Sequence, residues 1–146
     1  MKMHLWTSRS GLTSVHGKAM NICLWSVQGL LAAIFGMAGF MKTLTPMEDL
    51  GASMPWTLDV PVWLVRFIGI SELAGAMGLL LPAITRIRPD LTPQAGLSLT
   101  TVMLLAMLFH VSRGEFQLLP LPLILGALAF FVAWGRFYKE PIEPMD

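Results

Sequence analysis

The chain has 146 residues, 55% of them hydrophobic and only 13% charged, with a net charge of +1. A mean hydropathy of +0.66 excludes an ordinary water-soluble domain, in which about 45–50% of residues are apolar and about 25% charged, so the surplus apolar surface has to face lipid. The near balance of charge without a basic run excludes a nucleic-acid surface, and a single cysteine, Cys23, excludes a disulfide within the chain.

Residues 1–21 read as a basic tail, with Lys2, Arg9 and Lys18. His4 and His16 in this tail lack the spacing of metal ligands, and no metal site is expected anywhere in the chain. Ile22 to Met41 forms the first apolar run. It exceeds the roughly 7–15 residues of a signal-peptide core, so it is expected to stay as a membrane span. Gly29, Ala33, Gly36 and Gly39 recur along it at three- and four-residue spacing, as small residues do where membrane helices approach closely.

Lys42 to Pro61 holds Pro, Gly and acidic residues and reads as an outer cap or short surface helix. A second run, Val62 to Ala83, carries Ser71, Gly75 and Gly78 as its small residues. The third and fourth runs are Ala95 to Val111 and Leu118 to Trp134, the fourth opening with Pro120 and Pro122, where missing backbone donors cost least. Residues 139–146 are a short polar ending. Each run has about 17 to 22 residues, the length a helix needs to cross about 30 Å of hydrocarbon at about 1.5 Å per residue. None alternates with period two, which speaks against a β-barrel. The sequence therefore predicts an all-α polytopic membrane protein, an antiparallel four-helix transmembrane bundle over residues 22–138.

Charge asymmetry sets the expected orientation. Lys2, Arg9, Lys18, Arg86, Arg88, Arg136 and Lys139 fall on one side, whereas the other holds Lys42 and Arg113 together with Glu48, Asp49, Asp59 and Glu115. Excess Lys and Arg marks the cytoplasmic face, which puts both chain ends inside. The second span then runs inward and the third outward.

Ionisable residues inside spans carry the functional signal, because each costs at least about 2.5–3.5 kcal/mol at mid-membrane unless paired, snorkelled or neutralised. Three qualify: Arg66, Glu72 and His110. Counting about 1.5 Å per residue sets Arg66 roughly 6 Å, Glu72 roughly 15 Å and His110 roughly 5–8 Å below the outer boundary. Arg66 and Glu72 are six residues apart, so they do not share a helix face as an i, i+4 pair would. His110 and Arg113 do share one, and Gly114 can end their helix so that Glu115 turns back over the bundle mouth. Lys42 lies at the same level. The expectation is that Lys42, Arg66, Glu72, His110, Arg113 and Glu115 converge on a polar, ligand-binding pocket open to the outer side, with Glu72 and His110 as the candidates for chemistry. The competing readings are snorkelling anchors for Lys42, Arg66 and Arg113 and interhelical bonding for Glu72 and His110. Met77, Met103 and Met107 read as gap-filling residues.

At these residues the sequence resembles the DoxX-like family of small four-helix membrane proteins. The resemblance rests on FGMAGFMK (residues 35–42), RFIGISELAGAMGLLLP (66–82), PDLTP (89–93) and AMLFHVSRGE (106–115). It implies a bacterial plasma-membrane location and candidate roles for Lys42, Glu72, His110 and Glu115. Family members include subunits associated with thiosulfate:quinone oxidoreductase and other membrane oxidoreductases. The resemblance thus implies a subunit, not necessarily catalytic, of a quinone-linked complex, with a redox partner subunit or a second copy of the chain as its neighbours. A small-solute transporter or permeability factor and a membrane chaperone or assembly factor are the alternative functions.

Overall fold

The computed structural model describes residues 9–145; Lys2 and His4 of the basic tail lie outside them. Five α-helices follow in order: α1 (Arg9–Leu44), α2 (Met47–Ser53), α3 (Val62–Thr85), α4 (Leu91–Ser112) and α5 (Pro120–Trp134). Short 3-10 turns cover Pro55–Asp59 and Phe116–Leu118, and a π turn, Gly135–Lys139, continues α5. No strand occurs among the described residues, and four helical segments are long and apolar enough to cross a membrane: Ser14–Leu44, Val62–Thr85, Leu91–Ser112 and Phe116–Lys139. The chain is an integral membrane protein of the four-helix type.

α1 begins well before the first apolar run. Its 36 residues extend about 54 Å at 1.5 Å per residue, more than a bilayer core requires, so residues 9–21 form a helical projection. α3 opens after Pro61, and α5 opens on Pro120, a position where the ring's fixed φ suits the helix and its missing N–H is no loss.

The four long helices run alternately up and down, α1 packing on α3, α3 on α4, α4 on α5, and α5 back on α1. Leu31, Phe35, Leu79, Leu99, Met103 and Val132 form the shared core. Large apolar side chains such as Phe67, Ile70, Leu105, Leu108, Leu121 and Ile124 point outward, as they do where lipid is the solvent. In lipid there is no hydrophobic drive to press helices together, so close backbone approach and polar bonds take over that task.

α1 and α3 approach each other backbone to backbone. A Cβ added at Gly39 would lie 2.7 Å from the Gly69 carbonyl oxygen, and one at Gly69 would lie 2.8 Å from Lys42 Cβ and 2.9 Å from the Gly39 carbonyl. Only glycine fits at both positions. The bundle thereby acquires two unlike ends. The capped end carries α2 and the Pro55–Asp59 turn. The tail end carries the α3–α4 loop, the projecting start of α1 and residues 140–145.

Candidate functional site

The glycine crossing sets the first polar group. Lys42 and Glu72 each lie three residues beyond a crossing glycine, on helices that run in opposite directions. Because side chains lean toward the N-terminus of their own helix, the two lean toward each other across the contact. Lys42 Nζ donates to both Glu72 carboxylate oxygens, at 3.0 and 2.8 Å. The side chains are 9% and 4% exposed, so this ion pair is enclosed and each charge has its counter-charge at hand.

Arg66 neither reaches down to Glu72 nor snorkels away. Its Nη1 donates to the Lys42 main-chain carbonyl at 2.7 Å. That carbonyl is in the last turn of α1, where acceptors lack helical partners and a cation is favoured.

The second group is built by the end of α4. Gly114 has φ +70°, and its N–H donates to the Val111 carbonyl at 3.0 Å while the Glu115 N–H donates to the His110 carbonyl at 2.9 Å. This pair of bonds is the Schellman closure that a left-handed residue allows. It turns Glu115 back toward α4. Glu115 Oε2 then lies 2.7 Å from His110 Nδ1, and Arg113 Nε donates to Glu115 Oε1 at 2.9 Å.

Arg113 carries the group across to the cap. Its Nη2 donates to Asp59 Oδ2 at 2.7 Å, and its guanidinium carbon sits 5.3 Å from the centre of the Phe109 ring. Trp56 meets the same ring edge-on at 5.9 Å. The Pro55–Asp59 turn is thus fastened to α4 by one aromatic contact and one ion pair. The Glu115 carboxyl is held below the ordinary carboxylate range, first by its hydrogen bond with His110 and then by that with Arg113.

The six residues expected to converge therefore fall into two bonded groups: Lys42, Arg66 and Glu72 between α1 and α3, and His110, Arg113 and Glu115 on α4. Among the described residues no hydrogen bond or ion pair links the two groups. Asp59 joins the second, a role the sequence reading did not give it. An apolar cavity of about 210 Å³ opens between α4 and α5, lined by Thr100, Leu104, Met107, Leu123 and Phe130 among others. Met107 stands one helical turn from His110. Of the methionines read as gap-fillers, Met103 is buried in the core and Met77 faces outward.

A third polar group, absent from the sequence reading, lies at the tail end. Gln28 is fully buried in α1; its Nε2 donates to the Leu79 carbonyl of α3 at 2.8 Å, and its Oε1 accepts from Arg136 Nε at 2.7 Å. Arg136, read from sequence as a boundary cation, is only 4% exposed. Its Nη1 donates to Asn21 Oδ1 at 2.8 Å and to the Glu140 carbonyl at 3.0 Å. The signal for both residues was angular. Leu24, Gln28, Leu31 and Phe35 follow one seam of α1, and Leu125, Ala129, Val132 and Arg136 one seam of α5, at alternating three- and four-residue steps.

No curated protein and no solved structure shows a significant match to the chain. The profile of the DoxX-like family matches residues 26–132, from within the α1 span to the last turn of α5, and the chain belongs to the DoxX-like family.

Proposed function

We propose that the chain is a membrane subunit of a quinone-linked oxidoreductase complex, in which its own side chains hold and pass protons while a partner subunit supplies the electrons. The observation that carries this reading is the His110–Glu115 hydrogen bond at 2.7 Å, one helical turn from the apolar cavity that Met107 lines between α4 and α5. A volume of about 210 Å³ accommodates a single ring, and a tail attached to it would lie among acyl chains beside the outward-facing Leu104 and Phe130. When bound, a quinone supplies an acceptor for two electrons and two protons.

The chain's part is proton handling. An imidazole and a carboxylate sharing one hydrogen bond hold a proton between them and exchange it with water, here at the exposed Arg113–Asp59 rim. Lys42 and Glu72, paired and enclosed at the same end, hold α1 to α3 beside it. Lys18, Arg86, Arg88, Arg136 and Lys139 gather at the opposite end, which supports cytoplasmic chain ends in a bacterial plasma membrane.

The test is extraction of lipid-soluble redox compounds from the chain purified in mild detergent. Quinone is expected with the wild type and is expected to be lost from His110→Phe, with the fold retained. If the wild type carries none, or His110→Phe carries as much, the reading fails. Solute uptake into proteoliposomes would then put the permeability function in its place.

A further inference from the structure

Arg136 is a buried cation held without a buried anion. A guanidinium offers five N–H donors; Nε gives one to Gln28, and Nη1 gives two, to Asn21 and to the Glu140 carbonyl. All three acceptors are uncharged. Glu140 bonds through its main chain; its carboxylate lies against α1, where Oε1 is 2.9 Å from the position of a Cβ on Gly17, and acts on Arg136 as a nearby charge without bonding it. The face of the guanidinium covers Trp25, with 5.3 Å from its carbon to the ring centre. The two N–H groups on Nη2 have no partner.

Buried polar groups are nearly always hydrogen-bonded. Among the described residues two buried side-chain atoms are not, Thr92 Oγ1 and Arg136 Nη2, and both belong to the tail end. Arg136 lines a cavity of about 400 Å³ there, and Thr92 precedes Pro93, which also lines it. Arg88 and Asp90 contribute the cavity's other charges. They bond each other at 3.2 and 3.3 Å, which leaves the lining with one cation in no ion pair, Arg136.

The cavity is a built feature of the fold. Its outer wall is the chain's ending, and Arg86 holds that ending in place. Arg86 Nε donates to the Glu143 carbonyl at 2.7 Å and Nη2 to the Pro144 carbonyl at 3.3 Å, while the Met145 N–H donates back to the Arg86 carbonyl at 3.0 Å. Arg86 closes α3 in the left-handed region, at φ 58°, a conformation that favours glycine. The rest of the lining is apolar, with Ile87, Phe137, Pro141 and Ile142 prominent.

We propose that this cavity binds the phosphate oxyanion of an amphiphile, with Arg136 as the group that contacts it. With Arg136 in no ion pair, the site favours a phosphodiester of net negative charge, as in phosphatidylglycerol, over one whose own choline ammonium opposes the guanidinium, as in phosphatidylcholine. The apolar walls match a glycerol and acyl stem, for which free phosphate has no counterpart. Nη2 supplies the donors, and the Pro141–Pro144 segment covers the headgroup. The site is separate from the His110–Glu115 group and does not depend on its role.

Native mass spectrometry of the full chain in detergent tests this, after equilibration with equal amounts of phosphatidylglycerol and phosphatidylcholine. Phosphatidylglycerol is expected to be retained about five-fold over phosphatidylcholine, the preference one well-placed basic group confers. Arg136→Gln is expected to bring the ratio to near one. Because Arg136→Gln also disturbs Gln28 and Asn21, Ile142→Trp, which fills the cavity from the tail, serves as a second variant with the same expected loss. Millimolar inorganic phosphate distinguishes the sources. Failure to compete identifies the lipid, whereas Arg136-dependent displacement shows the same oxyanion site open to a soluble phosphate. Equal retention of the two lipids by the wild type, or an unchanged ratio in both variants, overturns the proposal.

Discussion

Each end of the bundle buries a cation, and the two ends solve the resulting problem differently. At the capped end Lys42 meets a carboxylate, so the enclosed charges cancel and both Glu72 oxygens are used. At the tail end Arg136 meets two side-chain amide oxygens and a main-chain carbonyl, so it has no ion-pair partner and one nitrogen has no hydrogen-bond partner. Taking a charge out of water costs several kcal/mol, recovered only by good geometry and full hydrogen bonding. A site that is complete in itself holds helices together; one that keeps a charge and spare donors is a place for something else to bind.

Removing one partner of the complete site separates the two ends most strongly. Glu72→Gln leaves the Lys42 ammonium buried without its counter-charge, and the expected loss is about 3–5 kcal/mol of stability, read as a fall in the thermal midpoint in detergent. Replacing both partners, as Lys42→Met with Glu72→Leu, is expected to recover most of that loss, since well-packed apolar groups commonly substitute for a buried pair. A Glu72→Gln protein as stable as the wild type would mean that Lys42 reaches water. The enclosed site would then be no different in kind from a snorkelling anchor.

A smaller effect is expected at the other end. Gln28→Leu removes the acceptor for Arg136 Nε and the donor to the Leu79 carbonyl, while Asn21 and the Glu140 carbonyl still hold Nη1. The expected cost is about 1.5–3 kcal/mol, the range for losing a hydrogen bond to a charged group. It should also loosen α1 from α5, read as faster hydrogen exchange of amides near Gly135. A loss as large as that of Glu72→Gln would show that the amide cradle carries the whole burden of Arg136 and that the two ends bury their cations in the same way.

The spans and the turn at Gly114 were legible because their signals are local: length, apolarity, and a glycine just past an apolar run. What escaped was angular position. Val65, Gly69, Glu72, Ala76, Leu79 and Ala83 lie on one buried seam of α3, and Leu24, Gln28, Leu31, Phe35 and Lys42 are buried along one seam of α1. Reading depth alone placed Glu72 near mid-membrane but gave no reason to pair it with Lys42 rather than His110. Reading the seams puts Glu72 and Lys42 on facing stripes and finds Gln28 with them. Gly69 was missed because a glycine's importance appears only when its neighbour is known. The binding of Arg113 to Asp59 depends on how the cap folds over α4, a long-range fact that no spacing along the chain contains.

Acid provides the mildest separation of the two ends. Among the groups that fasten the cap, Glu115 faces His110 and Arg113, and Arg113 faces Asp59. The Glu115 carboxyl binds a proton more weakly in the folded protein than in the unfolded chain, through its bonds to His110 and then Arg113. Its contribution is therefore fully present above the ordinary carboxylate range and fades as pH falls through the lowered folded value. The group is partly open to solvent, so salt and water keep the effect small. At the tail end Arg86 grips main-chain carbonyls, which do not titrate, and Asp90, itself lowered by its bond to Arg88, ties only residues of its own loop and first turn. Hydrogen exchange, corrected for the intrinsic pH dependence of the amides, reads the difference directly. Protection of the Glu115 amide, bonded to the His110 carbonyl, is expected to fall in acid, while that of the Met145 amide, bonded to the Arg86 carbonyl, holds steady. Glu115→Gln should flatten the Glu115 profile. If the wild-type amide were equally protected throughout, the Schellman closure alone would be holding the turn, and the carboxylate would contribute nothing to fastening the capped end.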